Sequence, residues 1–182
     1  MAMNRFIPIR KAEDISPEYR DTPIGLLLEY HNLSRPFDTF RVGQLLIGMC
    51  MDHRKRIRIP DKFAYIIRTG GANLQQNDFQ ISYALAVGVA KAIALIGHTQ
   101  CGMVNLNARR ELFVQGMVEN VGWEKKYAEE YFMKFAPLFE ITNEVEFVVS
   151  EAKRLRLRFP KIPIAPLLYR VEDHLLYLAT ES

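Results

Sequence analysis

A chain of 182 residues, 49% hydrophobic and 25% charged, is long and apolar enough for one globular domain over 1–182 with a substantial core, which excludes a disordered chain. A net charge of +3 is too small to call for an acidic partner, and two cysteines are too few for a disulfide framework. No run approaches the roughly 20 apolar residues of a membrane span, and the opening MAMNRFIPIRKAED lacks the apolar stretch of a signal peptide. The expectation is a cytoplasmic protein that does not contact a membrane.

Residues 1–21, with Pro8, Pro17 and mixed charge, read as an extended N-terminal arm. Thr22-Pro23 opens a short helix, Thr as N-cap and Pro at the first helical position. After a loop, the run Leu45-Leu46-Ile47-Gly48-Met49 reads as a strand leading into Cys50-Met51-Asp52-His53-Arg54. If its alternation continues, Cys50, Asp52 and Arg54 point one way and Met51 and His53 the other. A short basic loop broken by Pro60 leads to a second strand, Phe63 to Arg68, ending in Thr69-Gly70-Gly71-Ala72-Asn73. The paired glycines there permit a tight turn or a close backbone approach. Asn77 or Asp78 caps a helix over 79–92 that is apolar on almost every side, as a helix buried by the fold, or by fold and partner, would be. A third strand, Ile93 to Gly97, delivers Gly97-His98-Thr99-Gln100-Cys101-Gly102. Strand and helix in alternation predict an α/β fold with a mainly parallel sheet and ligands at the carboxyl ends of its strands.

The second half reads as helical over 105–118 and 123–135. Asn143 and Glu146 resemble a capping box for a helix that runs to about Arg158. Leu167–Val171 and Leu175–Leu178 predict two strands around a Glu172-Asp173 turn. The basic stretches His53–Arg58 and Lys153–Lys161 lack interleaved aromatics and read as solvated surface, so no nucleic acid is expected. Gly70-Gly71 is not part of a G-x-G-x-x-G or a P-loop, which argues against nucleotide binding.

The chemistry lies in the two strand-end motifs, which hold both cysteines. Cys50, His98 and Cys101 supply two sulfurs and a nitrogen, a set that suits tetrahedral Zn2+ and leaves a fourth position for water. Two thiolates cancel the charge of the ion, so its water is less acidified than under three imidazoles and a nearby acceptor matters more. Asp52 is placed to be that acceptor and Arg54 to clamp it. The plainer alternatives are a chance H-x-x-C, a cysteine packing as a small hydrophobe, and an ordinary ion pair between Asp52 and Arg54. Joint occurrence at two strand ends favours the metal site.

These motifs resemble the signature of the β-class carbonic anhydrases: C-x-D-x-R at Cys50–Arg54, an R-N-x-G-like segment at Arg68–Gly71, and G-H-x-x-C-G at Gly97–Gly102. The resemblance implies zinc on Cys50, His98 and Cys101, an Asp52–Arg54 catalytic dyad, and a substrate pocket with Leu74, Tyr83 and Gly102. It implies reversible hydration of carbon dioxide to bicarbonate by a metal-bound hydroxide. It also implies a homodimer or higher even oligomer whose N-terminal arm embraces the neighbour, and in some members a closed state with the aspartate on the zinc. Thr69 stands where the family has Asn, and Ala165-Pro166 where it often has His-Gly. Arg41 replaces a pocket glutamine, and the 55–67 connection is short for the helix many members place there. Two alternatives stay open: a carbonyl sulfide or carbon disulfide hydrolase on the same fold, and a catalytically silent zinc-binding dimer.

Overall fold

A computed structural model describes residues 6–180. Three apolar runs form parallel strands side by side: β2 (Leu45–Cys50), β3 (Ala64–Thr69) and β4 (Ala92–His98). With β1 (Phe6–Pro8), β5 (Ile164–Tyr169) and β6 (Leu176–Ala179) they make a six-stranded sheet in the order β1-β6-β5-β4-β2-β3. The β3–β2–β4–β5 block is parallel; β6 pairs antiparallel with β5, and β1 antiparallel with β6.

Burial on both faces explains why β2, β4 and β5 are apolar throughout. Leu45, Ile47 and Met49 of β2, Ala92, Ala94 and Ile96 of β4, and Ala165, Leu167 and Tyr169 of β5 share one core. Helix α1 (Pro17–Arg20) and helix α2 (Pro23–Asn32) cover it through Tyr19, Ile24, Leu27, Leu28 and Tyr30. The intervening residues Leu46, Ile93, Leu95 and Ile164 face the other way. They pack against Ile81 and Ala84 of α3 (Asp78–Ala86) and Ala152 and Leu155 of α6 (Glu144–Arg158). Thr22 caps α2 by accepting from the Ile24 N–H, and Asn143 caps α6 by accepting from the Val145 and Glu146 N–H groups, as their sequences predict. Helices α4 (Arg110–Val121) and α5 (Lys125–Phe135) form an antiparallel pair, α4 ending at left-handed Gly122.

Two expectations change. Residues 6–21 are not an extended arm: β1 pairs with this chain's own β6, Ile9 and Ile15 are buried, and the Tyr19 hydroxyl donates to the Ile164 carbonyl. The apolar periodicity of this segment, hidden among its charges, gives it a core to join. The helix expected over 79–92 stops at Ala86, because the chain turns through Gly88 and left-handed Val89 to enter β4. Its outer face is not buried in this chain; Phe79 is 78% exposed and Tyr83 56%. As its length predicts, the 55–67 connection holds no helix: it is irregular up to β3, with the Arg58 N–H donating to His31 Nδ1.

Candidate metal centre

β2 and β4 end at Cys50 and His98, and the turn after β4 brings Cys101 back. Hydrogen bonding in the ladder therefore sets the distance between residues far apart in sequence. The two sulfurs and an imidazole nitrogen all lie within 4.8 Å of one another, and all three residues are buried. His98 Nδ1 lies 2.9 Å from the Thr99 carbonyl, so it carries the proton and leaves Nε2 as a bare acceptor. Nε2 is buried without a partner. An orphaned imidazole lone pair beside two sulfurs is costly in a dry core and suits a tetrahedral N/S-ligated ion. Hydrogen bonding between the thiols pulls the Cys50 pKa down and pushes the Cys101 pKa up, so the first proton leaves readily. The residues present fit zinc.

The surrounding backbone is close-packed. Gly97 lies so near α6 that a Cβ there would meet Val148 Cγ1 at 2.8 Å, which brings the helix start against the cluster. The Cys101 N–H then donates to Glu144 Oε1 at 3.1 Å. Across the ladder Cys50 is in register with Thr69, whose buried hydroxyl also has no partner, and Gly71 turns the chain away with φ +64°.

Asp52 and Arg54 lie just past the end of β2, so strand alternation does not place them. A local turn does: Asp52 Oδ1 accepts from the Arg54 main-chain N–H at 2.9 Å. The guanidinium then forks onto the carboxylate, Nε to Oδ1 at 3.1 Å and Nη2 to Oδ2 at 2.8 Å. Held first by the Arg54 side chain, the Asp52 carboxyl lies well below the usual carboxylate range and stays ionised. Met51 and His53 are exposed.

The substrate-pocket residues expected from the motifs are placed differently. Leu74 is wholly buried under Gly48 in the sheet core, and Tyr83 stands on the outer face of α3 beside Phe79. Open space surrounds the Cα of Gly102. The apolar cavity next to the cluster, about 420 Å³, has Met51, Gly70, Met103, Phe132, Phe135 and Phe139 in its wall. Met103 separates it from the sulfurs, since it also packs against the Cys50–Cys101–Ile141 group. Neither Leu74, in the loop before α3 where it packs under Gly48, nor Tyr83, on the outward side of α3, is part of that wall.

Three polar residues were not singled out from the sequence. Lys55 is buried, and its Nζ donates to the Asp52 carbonyl at 3.1 Å and lies 4.0 Å from Oδ1. Burial lowers its pKa while Cys50 and Asp52 oppose that shift. Gln100 and Glu172 extend the contacts of Arg54 outward. The signal for Lys55 was a basic residue straight after the motif; for Glu172 there was none, since only the hairpin brings it near.

No family model and no curated protein matches the sequence. Solved structures do match. A β-carbonic anhydrase from Trichomonas vaginalis superposes with a TM-score of 0.64 at 19% identity, covering 86% of this chain and 93% of that one. The chain has the fold of the β-carbonic anhydrases. A carbonic anhydrase from Glaciozyma antarctica gives a TM-score of 0.59 at 21% identity, over 78% of this chain and 85% of that one. The apo form of a carbon disulfide hydrolase gives 0.54 at 21% identity, over 77% and 80%. One β-carbonic-anhydrase fold thus carries both names, so the fold by itself does not choose the substrate. Among the described residues no helix is long and apolar enough to cross a membrane.

Proposed function

We propose that the protein is a zinc-dependent carbonic anhydrase that hydrates carbon dioxide reversibly to bicarbonate. The observation that carries this reading is the meeting of Cys50, His98 and Cys101 around an unpartnered imidazole nitrogen, in a fold with a clamped Asp–Arg pair alongside. Those three residues hold the ion. When bound, zinc supplies the Lewis acidity that makes water nucleophilic near neutral pH.

The chain's own residues do the rest. Asp52, forked by Arg54, is a much weaker base than an ordinary carboxylate, so it orients the attacking water as an acceptor and does not take its proton. Lys55 fixes the Asp52 backbone from behind. The apolar wall of Met103, Phe135 and Phe139 favours a neutral, linear molecule over water and ions, and a charged product leaves it readily. Buried free thiols suit a reducing compartment, in keeping with a cytoplasmic protein. The exposed apolar side chains Phe79 and Tyr83 of α3, Val87 just after it, and Tyr65 and Ile66 of β3 support a homodimer or higher even oligomer.

Metal analysis paired with stopped-flow carbon dioxide hydration tests the reading. It expects one zinc per chain and a hydration rate above buffer that disappears in Cys50→Ser. Full zinc occupancy with no hydration at any pH would reject it and leave the silent zinc dimer. The thioether and phenyl lining also suits the more apolar carbon disulfide or carbonyl sulfide. Release of sulfide from these, without a strong carbon dioxide rate, would select that hydrolase.

A further inference from the structure

Arg54 has more N–H donors than the Asp52 carboxylate uses. Its Nη1 donates to Gln100 Oε1 at 3.2 Å, and its Nη2 also donates to the Gln100 carbonyl at 3.0 Å. Gln100 stands between His98 and Cys101 in a left-handed conformation, φ +58°, which costs a non-glycine residue about 1 kcal/mol. Its side chain is engaged at both ends, since Nε2 donates to Glu172 Oε1 at 3.0 Å. The other Glu172 oxygen accepts from Thr99 Oγ1 at 2.9 Å, and that hydroxyl accepts from the Val171 N–H at 3.0 Å. One carboxylate from the β5–β6 turn thus holds both residues between His98 and Cys101. Arg170 Nε lies 3.9 Å from the same carboxylate.

From this connected chain of contacts, and resting on the hydration reading above, we infer that Glu172 and Gln100 are positioning residues that fix the Arg54 guanidinium and, through it, the direction of the Asp52 carboxylate. Size separates this role from fold stabilisation. Gln100 and Glu172 are exposed, and such surface contacts contribute roughly 0–1 kcal/mol to stability each. Orientation is more demanding, because a reacting group displaced by about 1 Å can cost orders of magnitude in rate. Without the Gln100 side chain Arg54 keeps its fork on Asp52 and its Nη2 bond to the Gln100 carbonyl, but Nη1 is released, and the guanidinium loosens together with the carboxylate it carries.

The test uses zinc-loaded full-length protein carrying Gln100→Leu, Glu172→Ala, both, or Glu172→Gln. Either single change is expected to lower kcat about tenfold with KM altered less than about twofold, at unchanged zinc content and melting temperature. The double variant should be no worse than Gln100→Leu, because both changes break one chain of contacts. Glu172→Gln should recover most of the rate, since its amide can accept from Gln100 and donate to Thr99. A second readout needs no turnover: the Arg54 Nη protons should give slowly exchanging NMR signals in wild type and averaged ones in both single variants. Additive rate losses, or wild-type Arg54 signals in both variants, would overturn the inference. If the wild type does not hydrate carbon dioxide, the function falls and the Arg54 signals alone decide the positioning role.

Discussion

The carboxyl edge of the sheet and the α4–α5 pair are built to opposite rules. At the edge, side chains around the cluster are committed: Asp52 to Arg54 and Lys55, Cys101 N–H to Glu144, His98 Nδ1 to Thr99. In the helix pair, Phe113 packs on Phe132 and Trp123 on Tyr131, yet Leu112, Val121, Tyr127 and Met133 remain exposed. The edge takes its precision from backbone register, with ligands on two neighbouring strands. The helices roof the apolar cavity with side chains alone. In this division the sheet holds the candidate metal ligands, and the α4–α5 pair walls the cavity beside them.

The sharpest way to break the comparison is at the ligands. Cys50→Ser or Cys101→Ser should weaken zinc more than the roughly 10–100-fold that loss of an outer hydrogen-bond partner costs, read by metal competition, while circular dichroism stays native. Asp52→Asn should keep the zinc and lower kcat about 100-fold, because the amide can no longer act purely as an acceptor. Its acid dependence has a definite sign. The folded pKa of Asp52 is depressed, so its stabilising pair with Arg54 is fully present above the unfolded carboxylate pKa and lost as pH falls through the lower folded value. Denaturation curves for wild type and Asp52→Asn should therefore stay a constant distance apart from pH 5 to 8 and converge only in strong acid.

Phe132→Ala tests the other side. Removing a buried phenyl costs about 3 kcal/mol, and here the loss should stay in the helix pair. Hydrogen exchange should speed up over 110–135, with β2 and β4 still protected and zinc still bound; loss of zinc would erase the proposed division. The smallest effect concerns His31, whose pKa is lowered by burial. Its Nδ1 accepts from the Arg58 N–H at 3.0 Å, and its Nε2 donates to the His174 carbonyl at 2.9 Å. The unfolded chain binds the proton more readily, so acidifying below the unfolded histidine pKa should destabilise the protein. His31→Gln should flatten that slope in thermal scans between pH 7.5 and 5.5.

The parts of this molecule that follow from local pattern were legible in its sequence. The runs at 45–50 and 92–97 declare themselves by unbroken apolar character, 64–67 by a shorter one, and Thr22 and Asn143 by the N–H groups that a helix start leaves open. That Cys50, His98 and Cys101 come together was legible because both motifs sit at the ends of strands recognisable in the sequence. What escaped depends on contacts between distant segments. Nothing local shows that Ile9 and Ile15 reach the sheet, or that Glu172 meets Gln100. The surroundings of Leu74 and Tyr83 were not legible for a related reason: a motif places residues along the chain, while packing under Gly48 for one and the outward side of α3 for the other decide which way they face.

The pairing of β2 with β4, Met49 opposite Ile96, has a consequence for how the chain matures. A slip of one residue would turn Cys50 to the opposite face of the sheet, and a chain misaligned in that way could not take up the ion. On the zinc reading proposed above, correct strand phase is then a precondition for loading, so zinc uptake by refolded protein reports register as well as ligand identity.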